Sequence, residues 1–343
     1  MIVFKSTQIY LFFFTLILVS CTRQHKPDLS KITLNIKIER LDQALDSLNP
    51  NNIPTKHRKW QEQYGQFYGD YIMHMLQVGN LQDTAELFTN FREILQNRDY
   101  KELKKNISET FPDLSSYDEQ LTGAFKHILY YFPEVKIPRF VSFFSGFTVQ
   151  TPVNDEYIGI GLDMFLGSES KFYPALIQSI PRYVSRRFTP ENILPRTVEA
   201  YIREEIYPEP SFTTPDLLSL MVYNGKIMYL MDQVVPALAD SLKLGYTSAQ
   251  MAWAQNYETD IWAWLLTEDL LFNTDYHQIQ KHLGEAPFTP DLGKNNESAP
   301  KLGVFIGWQI VKKYMKENAS SLQELLAMQD AQQILKDAKY KGR

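Results

Sequence analysis

The sequence predicts an α+β fold, predominantly helical with a small antiparallel sheet. Three observations carry this reading. Apolar residues recur at helical spacing through most of the chain. Few segments carry β-type patterning, so the sheet is small. Two of those segments, 138–145 and 157–163, are joined by a loop over 146–156, and such neighbours pair antiparallel. A content of 44% hydrophobic and 13% aromatic residues suits a globular body with a large core.

The first element is a leader rather than part of the fold. Lys5 supplies a positive start, Ile9 to Val19 a short apolar run, and Leu18-Val19-Ser20-Cys21 a small-residue cleavage site ending in cysteine. A spanning helix needs about 20 apolar residues, and this run stops short of that. The chain turns polar immediately after Cys21, the only cysteine in the sequence. Residues 1–20 therefore read as a lipoprotein signal peptide and Cys21 as the lipidated residue, carrying acyl chains such as palmitate. Residues 21–31 read as a lipidated tether and 32–343 as a single, mainly helical globular domain. Two acyl chains give stable anchoring where one binds only reversibly. An uncleaved anchor helix and a secreted chain with a free thiol are the competing readings.

Along the body, Ile32 to Glu39 alternates apolar and polar residues and predicts a half-buried strand. Arg40 to Leu48 switches to helical spacing until Asn49-Pro50-Asn51-Asn52 breaks it. Thr55 to Met75 predicts an aromatic-rich helix carrying Trp60, Tyr64, Phe67, Tyr68 and Tyr71. Helices follow over Thr84 to Leu95, Lys101 to Ser108 and Tyr117 to Phe132, the last ended by Pro133. After the two β segments, Glu191 to Glu205 is moderately periodic. Gly225 to Leu242 predicts a helix kinked at Pro236, which lacks an N–H. Thr247 with Gln250 and Ser321 with Glu324 fit capping boxes that open two further helices. Gly303-x-x-x-Gly307, flanked by Lys301, Lys312 and Lys313, predicts a water-soluble helix crossing closely against a partner. The Trp and Tyr stripes read as core packing rather than as a ligand groove.

Several kinds of chemistry are disfavoured. The formal net charge is -5, one unit more negative once Lys5 is removed, which argues against nucleic acid. No second cysteine offers a disulfide or a thiolate metal site. His25, His57, His74, His127, His277 and His282 include no i, i+4 pair, and each reads as a surface or loop residue. No G-x-S-x-G elbow and no phosphate-binding Gly-Lys loop is present. The adjacent pairs Asp155-Glu156, Glu204-Glu205 and Glu268-Asp269 read as solvated surface, since helix neighbours do not face each other. Asn295-Asn296-Glu297-Ser298 is rich in oxygen but too sparse for a calcium loop. No catalytic, cofactor-binding or metal residue is assigned, and no cofactor is expected.

Residue combinations over nearly the whole body nonetheless form a pattern. They include Tyr157-Ile-Gly-Ile-Gly-Leu-Asp163, Gly225-Lys-Ile-Met-Tyr229, Leu244-Gly-Tyr-Thr247, Asn256-Tyr-Glu258, Ala286-Pro-Phe-Thr289, Ser298-Ala-Pro-Lys-Leu-Gly303 and Ile306-Gly-Trp-Gln-Ile-Val311. With the lipobox, these resemble the gliding motility lipoproteins called GldB, found in Bacteroidota. The resemblance implies a lipid-anchored component of the cell envelope, needed for gliding and linked to the type IX secretion machinery, with protein partners there and no assigned reaction. The anchor is expected to hold it facing the periplasm. A second likeness, to predicted zinc peptidases, implies a degenerate zincin-like scaffold lacking HExxH. The corresponding stretch, Leu194 to Ile202, has no histidine. Glu199 is then a remnant of the general base or simply a surface glutamate. Three functions follow: a non-catalytic assembly component, a zincin-like envelope peptidase, and a ligand-binding carrier.

Overall fold

The computed structural model describes residues 27–211, 214–292 and 297–343. The predicted leader, with Cys21 and His25, lies outside the described residues. So do Asn295 and Asn296 of the oxygen-rich stretch.

Short polar side chains open many of the helices, where they accept otherwise unpaired backbone N–H groups. In chain order the helices are α1 (Leu41–Ala44), α2 (Ile53–Tyr64), α3 (Gln66–Asp70), α4 (Thr84–Gln96), α5 (Arg98–Thr110), α6 (Ser115–Tyr131), α7 (Arg182–Ser185) and α8 (Ile193–Tyr201). They continue as α9 (Leu217–Val234), α10 (Asp240–Leu244), α11 (Ser248–Asn256), α12 (Glu258–Thr267), α13 (Tyr276–Leu283), α14 (Leu302–Glu317), α15 (Leu322–Ala327) and α16 (Ala331–Ala338). Asp83, Asn97, Asp216 and Asp275 cap α4, α5, α9 and α13. Both predicted capping boxes form, Thr247 with Gln250 on α11 and Ser321 with Glu324 on α15.

Two predicted helices differ. The Thr55–Met75 stretch is interrupted at Gly65, whose φ of 55° separates α2 from α3. A wider turn at Tyr71–Met75 then follows α3. Pro236 does not kink a helix; α9 stops at Val234, because the residue before a proline is pushed out of helical geometry. The helix also begins earlier than predicted, at Leu217, where Asp216 accepts from the Ser219 N–H.

The sheet contains β1 (Ile38–Arg40), β2 (Arg139–Phe143) and β3 (Tyr157–Gly161) in that order. It is parallel throughout, which corrects the antiparallel expectation: Phe140 pairs with Ile38 on one side and Ile158 on the other. Alternation reports that a strand exists, not its direction. The residues between β2 and β3 are numerous enough for a crossover. They run back beside β3, where the Gly159 and Gly161 N–H groups donate to Pro152 O and Gln150 O, both at 2.8 Å. Val153 bridges Ile158 antiparallel, and Asn154 Oδ1 accepts from the Glu156 and Tyr157 N–H groups to turn the chain again. An antiparallel ladder therefore exists, but β3 makes it with the connecting segment. The strand predicted over 32–39 is pared down to Ile38–Arg40. Upstream, Ile36 N–H donates to Thr122 Oγ1 and Ile38 N–H to Asp118 Oδ1, both at 2.9 Å, so α6 side chains take the place of a strand.

One hydrophobic cluster reaches from Ile36 to Tyr340. The predicted aromatic stripe of α2 and α3 is in it: Trp60, Tyr64, Phe67, Tyr68 and Tyr71 are buried. Phe67 meets Tyr157 edge-on at 4.9 Å, joining α3 to the sheet. α9 and α14 cross in close backbone contact. A Cβ on Gly307 would lie 1.9 Å from the Met221 carbonyl oxygen, and one on Gly225 would lie 2.2 Å from that of Gly307. The predicted close approach at Gly303-x-x-x-Gly307 is therefore made on α9.

Candidate functional site

Arg196 and Glu199 of α8 and Arg203 just beyond it stand at i, i+3 and i+7, on one face of a continuing helical path. Pro195 sits in the first turn, where its missing N–H is harmless. The opposite face is apolar and sinks Val198 and Tyr201 into the core. The three charged residues consequently enter the protein together. Glu199 is bound by both arginines: Arg196 Nη1 lies 2.5 Å from Oε2 and Arg203 Nη2 2.9 Å from Oε1. Its side chain is 14% exposed, so the surface reading of Glu199 is wrong. Periodicity missed this because three polar residues on a helix face look solvated until a second layer of chain covers them.

That layer comes from α9, α10 and the approach to α14. Asn224 of α9 accepts from Arg203 Nη2 at 3.0 Å and donates to Leu220 O. The end of α10 leaves carbonyls without helical partners. Arg196 Nη2 donates to Leu242 O and Lys243 O at 3.0 and 2.6 Å, and Lys301 Nζ donates to Leu244 O at 2.7 Å. Gly245 closes α10 in the left-handed conformation, with φ of 70°. Lys301 itself has φ of 51° at the start of α14, a conformation uncommon for lysine. Its side chain also reaches Glu285 Oε1 at 2.8 Å, and Arg187 binds the other oxygen of Glu285 at 3.0 Å. A cavity of about 240 Å3 lies among Arg196, Glu199, Arg203, Asn224, Glu285 and Lys301.

Electrostatics follow from this layout. Burial pushes the Glu199 carboxyl upward, but attraction to Arg196, Arg203 and Lys301 outweighs it and brings the pKa down to about 2. Burial lowers Lys301 to about 8 against the pull of Glu285. A carboxylate held near 2 by two guanidiniums is a poor general base at neutral pH. Beside this cluster, Lys243 binds Asp232 and Asp240 at 2.6 and 3.0 Å, while Trp308 Nε1 donates to Asp232 at 2.8 Å.

The other sequence candidates do not converge here. Among the described residues, no group of three or more His, Cys, Asp or Glu is placed to hold a metal ion. His57 and His282 are buried, against expectation. His57 packs against Tyr68 and Phe88, and His282 against Trp264, because each falls on the inward face of its helix. Asp155-Glu156, Glu204-Glu205 and Glu268-Asp269 are exposed as predicted. Asp163, the last residue of the Gly-Leu-Asp run, was not singled out by itself, yet it is fully buried. Its Oδ2 accepts from the Ser145 and Phe147 N–H groups at 3.0 and 2.7 Å and fixes the bend after β2. Burial raises its pKa to about 6 despite these bonds.

A family model described as gliding motility protein GldB matches residues 22–342. The chain belongs to the GldB family. The family is described by its part in motility, and the match bears out the sequence resemblance over almost the whole chain. No curated protein and no solved structure matches. The zincin likeness accordingly rests on the sequence alone. Of the motifs that carry the GldB resemblance, Gly225–Tyr229 contributes Met228 to the cavity wall, Leu244–Thr247 contributes Leu244, and Ser298–Gly303 contributes Lys301. The last is braced by Ser298 Oγ donating to Thr289 O at 2.7 Å and by Tyr246 OH donating to Pro300 O. Among the described residues, no helix is long and apolar enough to cross a membrane.

Proposed function

We propose that this GldB chain is a lipid-anchored envelope lipoprotein that serves the gliding machinery through assembly and interaction rather than catalysis. The family match over residues 22–342 carries the reading. The lipobox ending at Cys21 supports anchoring, and two acyl chains are enough for it. The state of Glu199 supports a non-catalytic role: the carboxylate that a zincin-like reading would make the remnant of a base is ion-paired with Arg196 and Arg203. In this reading the body faces the periplasm and engages protein partners of the gliding and type IX secretion apparatus.

Crosslinking in gliding cells followed by affinity purification tests it. A specific envelope protein recovered with the wild-type chain is expected, together with loss of membrane retention and of gliding in Cys21→Ala. Recovery of no envelope partner, or unchanged membrane retention of Cys21→Ala, would overturn the assembly and anchoring parts respectively. Stoichiometric zinc with peptide hydrolysis would overturn the non-catalytic part.

A further inference from the structure

Charge in the cavity does not balance. Among the described residues, Glu199 is bridged by Arg196 and Arg203, and Glu285 by Arg187 and Lys301. Four cations, three of them lining the cavity and Arg187 behind Glu285, therefore share two carboxylates, leaving an excess of two positive charges in a half-buried space. The neighbouring cluster shows the contrast: Lys243 and Lys312 face Asp232 and Asp240, and charge there is matched. Nor is the excess a background property, since the chain as a whole carries -5. Burying unmatched charge is unfavourable unless a counter-charge accompanies it.

Hydrogen bonding is incomplete at the same place. The Nε atoms of Arg196, which lines the cavity, and of Arg187 are buried without a partner. A guanidinium offers its N–H groups in a planar fork that matches phosphate oxygens. The cavity, at about 240 Å3, is smaller than the roughly 300–1,000 Å3 typical of drug-sized ligands, so its occupant is small.

We propose that the cavity between α8, α10 and the start of α14 binds a small doubly charged phosphate group, seated on Arg196, Arg203 and Lys301 beside Arg187. The phosphate supplies two negative charges against the cations that Glu199 and Glu285 leave unmatched, and one of its oxygens accepts from the unpartnered Nε–H of Arg196. Free phosphate and a small phosphomonoester share this chemistry. The assignment does not depend on the role in gliding.

Thermal unfolding of the intact chain in detergent tests it, with inorganic phosphate, glycerol phosphate and succinate each titrated against chloride at equal ionic strength. A saturable rise in Tm with inorganic phosphate is expected, because a ligand that binds only the folded state stabilises it. If glycerol phosphate gives the larger rise the source is an ester, and if inorganic phosphate does it is the free ion. Arg196→Gln should weaken binding by about 10- to 100-fold, the range for a lost charged hydrogen bond. Glu199→Gln removes a like charge and should tighten binding at least about tenfold, which an effect on folding alone does not produce. Comparison of Glu199→Gln with wild type reads the site even where Arg196→Gln does not fold. An equal Tm rise in wild type and both variants would mark general salt stabilisation and overturn the proposal. Absence of any saturable rise would also overturn it, as would succinate binding as tightly as phosphate.

Discussion

Asp163→Asn isolates the energetic effect of one buried carboxylate. The Asp163 side chain is shut away from water, with Oδ2 on the Ser145 and Phe147 N–H groups and Oδ1 without a partner. Burial holds its pKa at about 6, against 3.8 for an ordinary aspartate. The folded state therefore binds more protons than the unfolded state between these values, and stability must fall as pH rises through that window. At 1.36 kcal/mol per pKa unit the loss is about 3 kcal/mol, complete above about pH 6. Asparagine keeps the shape and an acceptor oxygen but does not titrate. Urea unfolding of wild type and variant at several pH values between 4 and 7 reads the difference directly. Relative to wild type, Asp163→Asn should gain about 2 kcal/mol on going from pH 4 to pH 7, most of the full effect. Identical pH slopes for the two proteins would refute the argument that Asp163 is desolvated and poorly compensated.

Glu199 should behave in the opposite sense. Its folded pKa of about 2 lies below the ordinary 4.5, so its contribution is present above about pH 4.5 and fades as pH falls toward 2. Glu199→Gln should remove a stabilisation of about 3 kcal/mol at neutral pH and flatten the acid limb of the wild-type stability curve. Gly307→Ala would drive a methyl group against the Met221 carbonyl, 1.9 Å away, and force α9 and α14 apart. It should lower stability by at least about 1–3 kcal/mol in chemical denaturation, whereas alanine at half-buried Gly123 of α6, where a Cβ would meet nothing within 4 Å, should not destabilise. Ser321→Ala dismantles the capping box of α15 and should cost about 1 kcal/mol by the same assay.

The parts of the fold that sequence made legible are those set by local chemistry. Capping boxes at Thr247 and Ser321 are short-range bonds whose partners lie three residues away, and both form. The aromatic stripe from Trp60 to Tyr71 and the Gly303/Gly307 spacing packed as predicted, although Tyr257 of the later stripe stays 46% exposed. What failed depends on chain distant in sequence. The direction of β3 is set by where the 144–156 connection returns, and the length of β1 by Asp118 and Thr122 of α6. The candidate site was least visible of all. Arg187, the Arg196–Arg203 face, Glu285 and Lys301 come from separate stretches, and each residue taken alone is an ordinary charged one. One usable signal was the Arg196-x-x-Glu199-x-x-x-Arg203 spacing, which pairs opposite charges along a helical face beside buried Val198.

The segment that runs back beside β3 has a further effect, taken with the α6 side chains that meet Ile36 and Ile38. A three-stranded parallel sheet ordinarily offers two open flanks, each a template on which a foreign strand can polymerise. Here Pro152 O and Gln150 O occupy one flank, and Asp118 and Thr122 occupy the other. Strand-by-strand recruitment of another chain is thereby obstructed on both sides. At this sheet an approaching chain would meet side chains and already paired carbonyls rather than a free strand backbone.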